Sequence, residues 1–243
     1  MATKQPRFYA ESDEEKRTGV QEDPAEHFSG YAVMGQPFRS GYYLAFRHFR
    51  RSSVGPGYRA VWVRTPSGGW TIYADAAPEL SCARYFGSAL DEAVTTTVGI
   101  EWDGPASATI RVPDRVEWHL ELGSSLETRA LTSMALRMPP ALWRRNSVLR
   151  AMGAMAGTML GAGRMSICGV APNGQSFQAQ PRRLWQVLES TAVVGGRDAG
   201  GPGPLREQDR LGGFWLPQRG LFAADLGVRF PSTVPAAVDA VAY

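Results

Sequence analysis

The chain has 243 residues, 44% of them hydrophobic and 10% aromatic, with a formal charge of only +3. That is enough apolar surface for a sizeable core, and the charge is too evenly interspersed for a nucleic-acid-binding stripe. Of its 26 basic side chains only Lys4 and Lys16 are lysines, so the rest of the chain has no amine for a Schiff base or for a P-loop phosphate cradle.

In chain order, residues 1–25 read as a flexible tail, with a run of charges from Glu11 to Arg17 and no apolar h-region. Gly41–Phe46 begins a series of aromatic segments with two-residue period. Tyr58–Arg64 and Trp70–Ala74 form a hairpin across Thr65-Pro66-Ser67-Gly68-Gly69. Asp75–Gly87 is irregular. Val94–Trp102 and Ala106–Val112 form a second hairpin, and the next strand alternates Val116, Trp118, Leu120 and Leu122 with Glu117, His119 and Glu121. One principal helix is expected over about 139–163. Pro139-Pro140 starts it, a glycine ends it, and Gly153, Gly157 and Gly161 let it lie close to a sheet. Asn173-Gly174 marks a further hairpin, Leu184–Val194 a strand and Gly195–Asp209 a loop. In the last strand Phe222, Ala224, Leu226, Val228 and Phe230 share a face, and 233–243 reads as a second flexible tail.

Hairpins without a βα rhythm indicate a mostly β fold, an antiparallel lipocalin-like β-barrel of one domain over 26–232. The segment Val61-Trp62-Val63-Arg64-Thr65-Pro66-Ser67-Gly68-Gly69-Trp70-Thr71-Ile72-Tyr73 resembles strand pairs of the lipocalin-like carotenoid hydratase superfamily, as does Asn173-Gly174-Gln175 followed by Trp185. That superfamily includes cofactor-free cyclases of natural-product pathways. The resemblance implies a barrel around an apolar cavity and transfers no catalytic residue.

Several chemistries lack their residues. His27, His48 and His119 are the only histidines, Cys82 and Cys168 the only cysteines, and none stand at metal-ligand spacing. No Gly-x-Ser-x-Gly elbow is present, nor a glycine-rich turn between strand and helix, so no metal, flavin, nicotinamide or pyridoxal cofactor is expected. No apolar run reaches the ~18 residues of a membrane span, and the cytoplasm is the expected compartment.

Acid–base or binding chemistry remains. Glu189 and Asp225 sit in strands, either turned into a dry lumen as proton donors or facing solvent. Asp75, Arg84 and Tyr85 flank the irregular segment, either orienting the polar end of a ligand or pinning the loop. Trp70, Tyr73, Trp102, Trp118, Phe177 and Trp185 are the candidate ligand-binding aromatics, with core filling as the alternative. The stretch Arg47, His48, Arg50, Arg51 reads as a solvated turn, a nucleic-acid contact, or an arginine that captures a ligand carboxylate. His48, beside arginines, is either a neutral base or an exposed surface ring. The expected function is a cofactor-independent enzyme that cyclises, isomerises or hydrates a hydrophobic small molecule. The alternative is a non-catalytic carrier of the same kind of ligand. Neither reading fixes an oligomeric state.

Overall fold

The computed structural model describes residues 5–12 and 24–231. The tail expected at 233–243 lies outside them, as does most of 1–25, including Lys4 and Lys16. Within the first of those spans, α1 (Pro6–Glu11) lies on the molecule with Ala10 buried, and the Tyr9 ring sits under the Arg183 guanidinium at 3.9 Å.

The fold is mostly β. One curled mixed sheet forms an open half-barrel instead of the closed antiparallel barrel expected. It has twelve strands, of which the first eight in the chain are β1 (Glu26–Pro37), β2 (Tyr43–Ser52), β3 (Pro56–Arg64), β4 (Trp70–Ala74), β5 (Glu92–Thr95), β6 (Gly99–Glu101), β7 (Ser107–Val112) and β8 (Val116–Gly123). Further along the chain come β9 (Cys168–Val170), β10 (Ser176–Val194), β11 (Arg197–Asp198), β12 (Arg210–Leu211), β13 (Phe214–Trp215) and β14 (Leu221–Phe230). The main order is β5-β4-β3-β2-β1-β14-β10-β8-β7-β6. The barrel stays open because its terminal strands, β5 and β6, are short and do not pair with each other; short edges also resist edge-to-edge association. The mixed character comes from β4 and β5, which run parallel. A parallel return needs a crossover, and the irregular segment after Asp75 supplies it through two 3₁₀ turns and the short helix α2 (Ala83–Phe86).

In place of one principal helix at 139–163 there are two: α3 (Leu126–Arg137), where no helix was expected, and α4 (Asn146–Met159), within the expected range. Ser125 caps α3 through a reciprocal capping box with Thr128. Pro139-Pro140 ends a helix instead of starting one: Met138, just before the prolines, is already extended at ψ 126°. α4 packs its glycine face on the returning chain, where a Cβ on Gly157 would stand 2.2 Å from the Gly163 carbonyl oxygen.

β10 runs 19 residues, merging two expected strands across Pro181. Proline is tolerated there because β9 covers only Ser176–Gln178 and β8 begins at Gln186, so no ladder on that side asks for an N–H at 181. At ~3.3 Å per residue this strand is long enough to serve both faces of the sheet. Its Trp185 and Ala192 join a buried cluster with Val61, Phe46, Ile110 and Trp118, drawn from both ends of the curl. Its Phe177 joins another cluster with Phe28, Tyr58, Trp62 and Phe230 on the opposite face.

β14 changes faces. Ala224 and Asp225 together oppose Tyr31, and Asp225 takes the left-handed conformation (φ 51°), a bulge that reverses the alternation. Phe222 and Ala224 therefore enter the Trp118 cluster, while Leu226 and Phe230 enter the one around Trp62. The single apolar face expected for this strand is two half-faces.

Candidate functional site

A cavity of ≈ 70 Å³ lies within the cluster around Trp62. Its floor is sheet: Phe28, Ala32 and Met34 from β1, Arg47 and Phe49 from β2, Tyr58 and Trp62 from β3. β10 adds Phe177 and Ala179, and the far half of β14 adds Leu226, Val228 and Phe230. The cover is Cys82, Tyr85 and Phe86 around α2, with Phe214 of the β12–β13 hairpin and Ser166. Phe86 lies 4.7 Å from Trp62, ring centre to ring centre, and Phe214 5.6 Å from Phe177, so the cover is stitched to the floor by aromatic contacts.

Arg47 is the charged residue of this wall. It lies inside β2, not in a solvated turn, and is only 7% exposed. β1 shifts register against both neighbours just after Val33, which frees backbone carbonyls from the ladder. Arg47 takes them: Nη1 donates to the Val33 carbonyl and, at 3.0 Å, to that of Phe46, while Nη2 donates to that of Met34 at 3.2 Å. The guanidinium also sits 5.1 Å from the centre of the Trp62 ring. Burial lowers its pKa, and the titratable groups facing it are Cys82, Tyr43 and Tyr58. Burial in turn holds all three protonated. The thiol of Cys82 is pushed up to about 11 although the Trp62 indole N–H donates to its sulfur at 3.1 Å, and the two phenols are raised well above their usual range.

A polar cluster borders the cavity on the α2 side. The Tyr85 hydroxyl donates to Glu26 at 2.7 Å, Arg84 reaches the other oxygen of the same carboxylate at 2.8 Å, and Gln175 donates to it at 3.4 Å. The Tyr85 ring stacks on Phe230 with centroids 3.6 Å apart and planes 11° from parallel. Burial, followed by the Glu26 bond and charge, raises its phenol pKa far above the ordinary value.

Of the residues singled out in sequence, the structure thus brings together Arg84 and Tyr85, and Phe177 lines the same cavity as Tyr85. Asp75 is elsewhere, accepting the Arg59 backbone N–H at 2.6 Å and facing its guanidinium. Glu189 is exposed opposite Glu121, and Asp225 sits half-buried at the bulge; neither lines the cavity. Trp70 is buried beside Tyr43 and donates to Asp209. Trp118 and Trp185 belong to the cluster on the other face of the sheet, with Tyr73 and Trp102 packed against it. The Gly195–Asp209 loop does not reach the cavity wall, and Asp209 pins that region to Arg64. His48 points to the other face of β2 from Arg47, half-buried, with Nδ1 2.9 Å from the Tyr31 hydroxyl. Burial, then Arg59 and Arg50, bring its pKa down to about 4, which makes it a neutral ring away from the cavity.

Sequence reasoning missed Glu26, the first residue after the expected tail, and Phe214, between the expected loop and the last strand, where no element was assigned. Arg47 it raised only as one reading among three. Among the described residues there is no cluster of three His, Cys, Asp or Glu side chains able to hold a metal, and no helix long and apolar enough to cross a membrane.

No family model and no curated protein matches the chain. Among solved structures, an acetoacetate decarboxylase from Legionella pneumophila is similar at 8% identity over 85% of this chain and 82% of that one, with a TM-score of 0.35. The two folds overlay too loosely for residues to be matched.

Proposed function

We propose that this chain binds a compact hydrophobic small molecule in the cavity between Trp62 and the α2 cover. The observation that supports this reading is the cavity itself. This face of the sheet keeps an aromatic-walled void beneath two irregular connections, where close-packed interiors leave few voids. At ≈ 70 Å³ the void is smaller than the ~300–1,000 Å³ of drug-sized sites. The ligand body is therefore small, or it enters as Phe86 and Phe214 swing aside. The reading is tested by saturation-transfer NMR with a panel of compact apolar acids, amides and ketones. Wild type is compared with Ala32→Leu, which fills the floor. Signals present in wild type and lost in the filled variant support the site; identical spectra for both proteins reject it.

A second reading, a cofactor-independent enzyme that isomerises, cyclises or hydrates such a molecule, draws on the Tyr85–Glu26 pair. Tyr85 stands on the cavity wall and Glu26 reaches solvent, so the pair can pass a proton between a bound molecule and water. Exchange of ligand C–H for deuterium in D₂O, catalysed by wild type and lost in Tyr85→Phe with binding retained, is the result that favours catalysis over carriage.

A further inference from the structure

We infer that the ligand carries a carboxylate and that Arg47 receives it side-on. The inference rests on the cavity being a small-molecule site and says what that site selects.

Charge comes first. Arg59, Arg64 and Arg84 are all more exposed than Arg47, yet each has a carboxylate partner: Asp75, Asp209 and Glu26. Arg47 is the most enclosed of the four and has no acid beside it among the described residues. Its neighbours are backbone carbonyls, phenols and a thiol, all uncharged while protonated. A desolvated cation without a countercharge is costly, and folded proteins rarely keep one without a use.

Donor count comes second. A guanidinium has five N–H groups in a fixed plane. Two on Nη1 and one on Nη2 go to carbonyls, which leaves the Nε–H and the second Nη2–H. Nε–H and an Nη2–H together form the side-on fork by which a guanidinium grips both oxygens of a carboxylate. The three carbonyl bonds and the Trp62 face hold that fork in one plane before any ligand arrives, so little ordering remains to be done on binding.

Placement comes third. Arg47 lines the cavity directly, with aromatic rings around it to take an apolar body. A purely structural Arg47, present only to satisfy the bulged carbonyls of β1, would need neither the unused fork nor the adjoining void.

The test uses matched pairs on the whole protein at pH 7.5: benzoate against benzamide, cinnamate against cinnamamide, octanoate against octanamide. Calorimetry or ligand-observed NMR reads the affinities. At least one acid is expected to bind tenfold or more tighter than its amide, and Arg47→Met is expected to erase that preference. If acid and amide bind alike in wild type, the carboxylate assignment is overturned while the cavity reading stands. If neither member of any pair binds, both fall. Should Arg47→Met fail to fold, the wild-type acid-to-amide ratio decides the matter, because it needs no variant.

Discussion

Arg84 and Tyr85 are adjacent and share one carboxylate, yet their energetic roles differ. Arg84 is largely exposed, and its pair with Glu26 is worth at most about 1 kcal/mol. Tyr85 is 1% exposed and stacked on Phe230, so removing its ring opens the core. Arg84→Ala is therefore expected to lower unfolding free energy by under about 1 kcal/mol, and Tyr85→Ala by about 3–5 kcal/mol, read from urea denaturation. Equal losses would mean the stacking contributes nothing. The histidine on the other face of the sheet gives a pH signature. Its folded pKa, about 4, lies below the ordinary 6.5, so at intermediate pH the unfolded chain binds a proton that the folded one does not. The sign follows: His48 costs no stability above pH 6.5 and lowers it as pH falls from 6.5 to 4. With the ring only half-buried between Tyr31, Arg59 and Arg50, the loss is about 1–2 kcal/mol after screening. His48→Gln should flatten that stretch of the stability curve. An unchanged slope between pH 6.5 and 4 would place the acid sensitivity elsewhere.

Elements were legible where their signals were local. The Thr65–Gly69 turn closes through the Thr65 N–H on the Gly69 carbonyl at 2.9 Å, with Gly68 at φ 98°, as its proline and glycines indicate. Asn173-Gly174 likewise turns the chain from β9 into β10, with Gly174 at φ 88°. What the sequence hid depends on distant partners. The Ser125–Thr128 box is local and could have announced α3, but Pro139-Pro140 read as a start because the apolar period beyond it was stronger. The bulge at Asp225 exists only in register with β1, and no alternation within β14 discloses it. Arg47 looked like a solvated charge because the carbonyls that bury it are released by an irregularity in another strand. Of the three glycines expected to let the helix lie close, Gly153 and Gly157 do meet a neighbour, but it is the backbone at Gly163 and Met165, not a strand, while Gly161 lies past the end of α4 at φ 60° with nothing against it. Gly157→Ala should therefore destabilise by about 1–3 kcal/mol of overpacking, reversing the gain of about 1 kcal/mol that helix propensity alone promises. Thr158→Ala, on the exposed side, should stay within about 0.5 kcal/mol. A stabilised Gly157→Ala would mean that α4 stands off from the returning chain.

At the scale of the whole molecule, one sheet makes two unlike interiors. Where its two ends curl together, tryptophan and branched side chains are buried; on the opposite face α3 and α4 cover one part, and over the Trp62 cluster closure falls to α2 and the β12–β13 hairpin. Strands held by ladders on both sides open only with global unfolding, whereas a cover made of a four-residue helix and a two-stranded hairpin can open locally at lower cost. Cys82 reports that opening, because its thiol lies on the cavity wall beneath the cover. Two obstacles then slow its modification. Burial raises its pKa from 9.0 to about 11, which cuts the thiolate at neutral pH by about a hundredfold, and reagent must wait for the cover to part. In a Cys168→Ala background, which removes the other buried thiol, Ellman's reagent at pH 7.5 should label the folded protein at least about a hundredfold more slowly than the urea-unfolded chain. Cinnamate at saturation should slow it further, because an occupied cavity ties Phe86 and Phe214 to the ligand and lowers the open population. Phe214→Ala should do the opposite, speeding labelling while global stability falls by no more than the cost of one truncated aromatic. Labelling as fast in the folded protein as in urea would show that α2 and the hairpin do not close the cavity. Slow labelling that cinnamate leaves unchanged would show that the closed space is not where cinnamate binds.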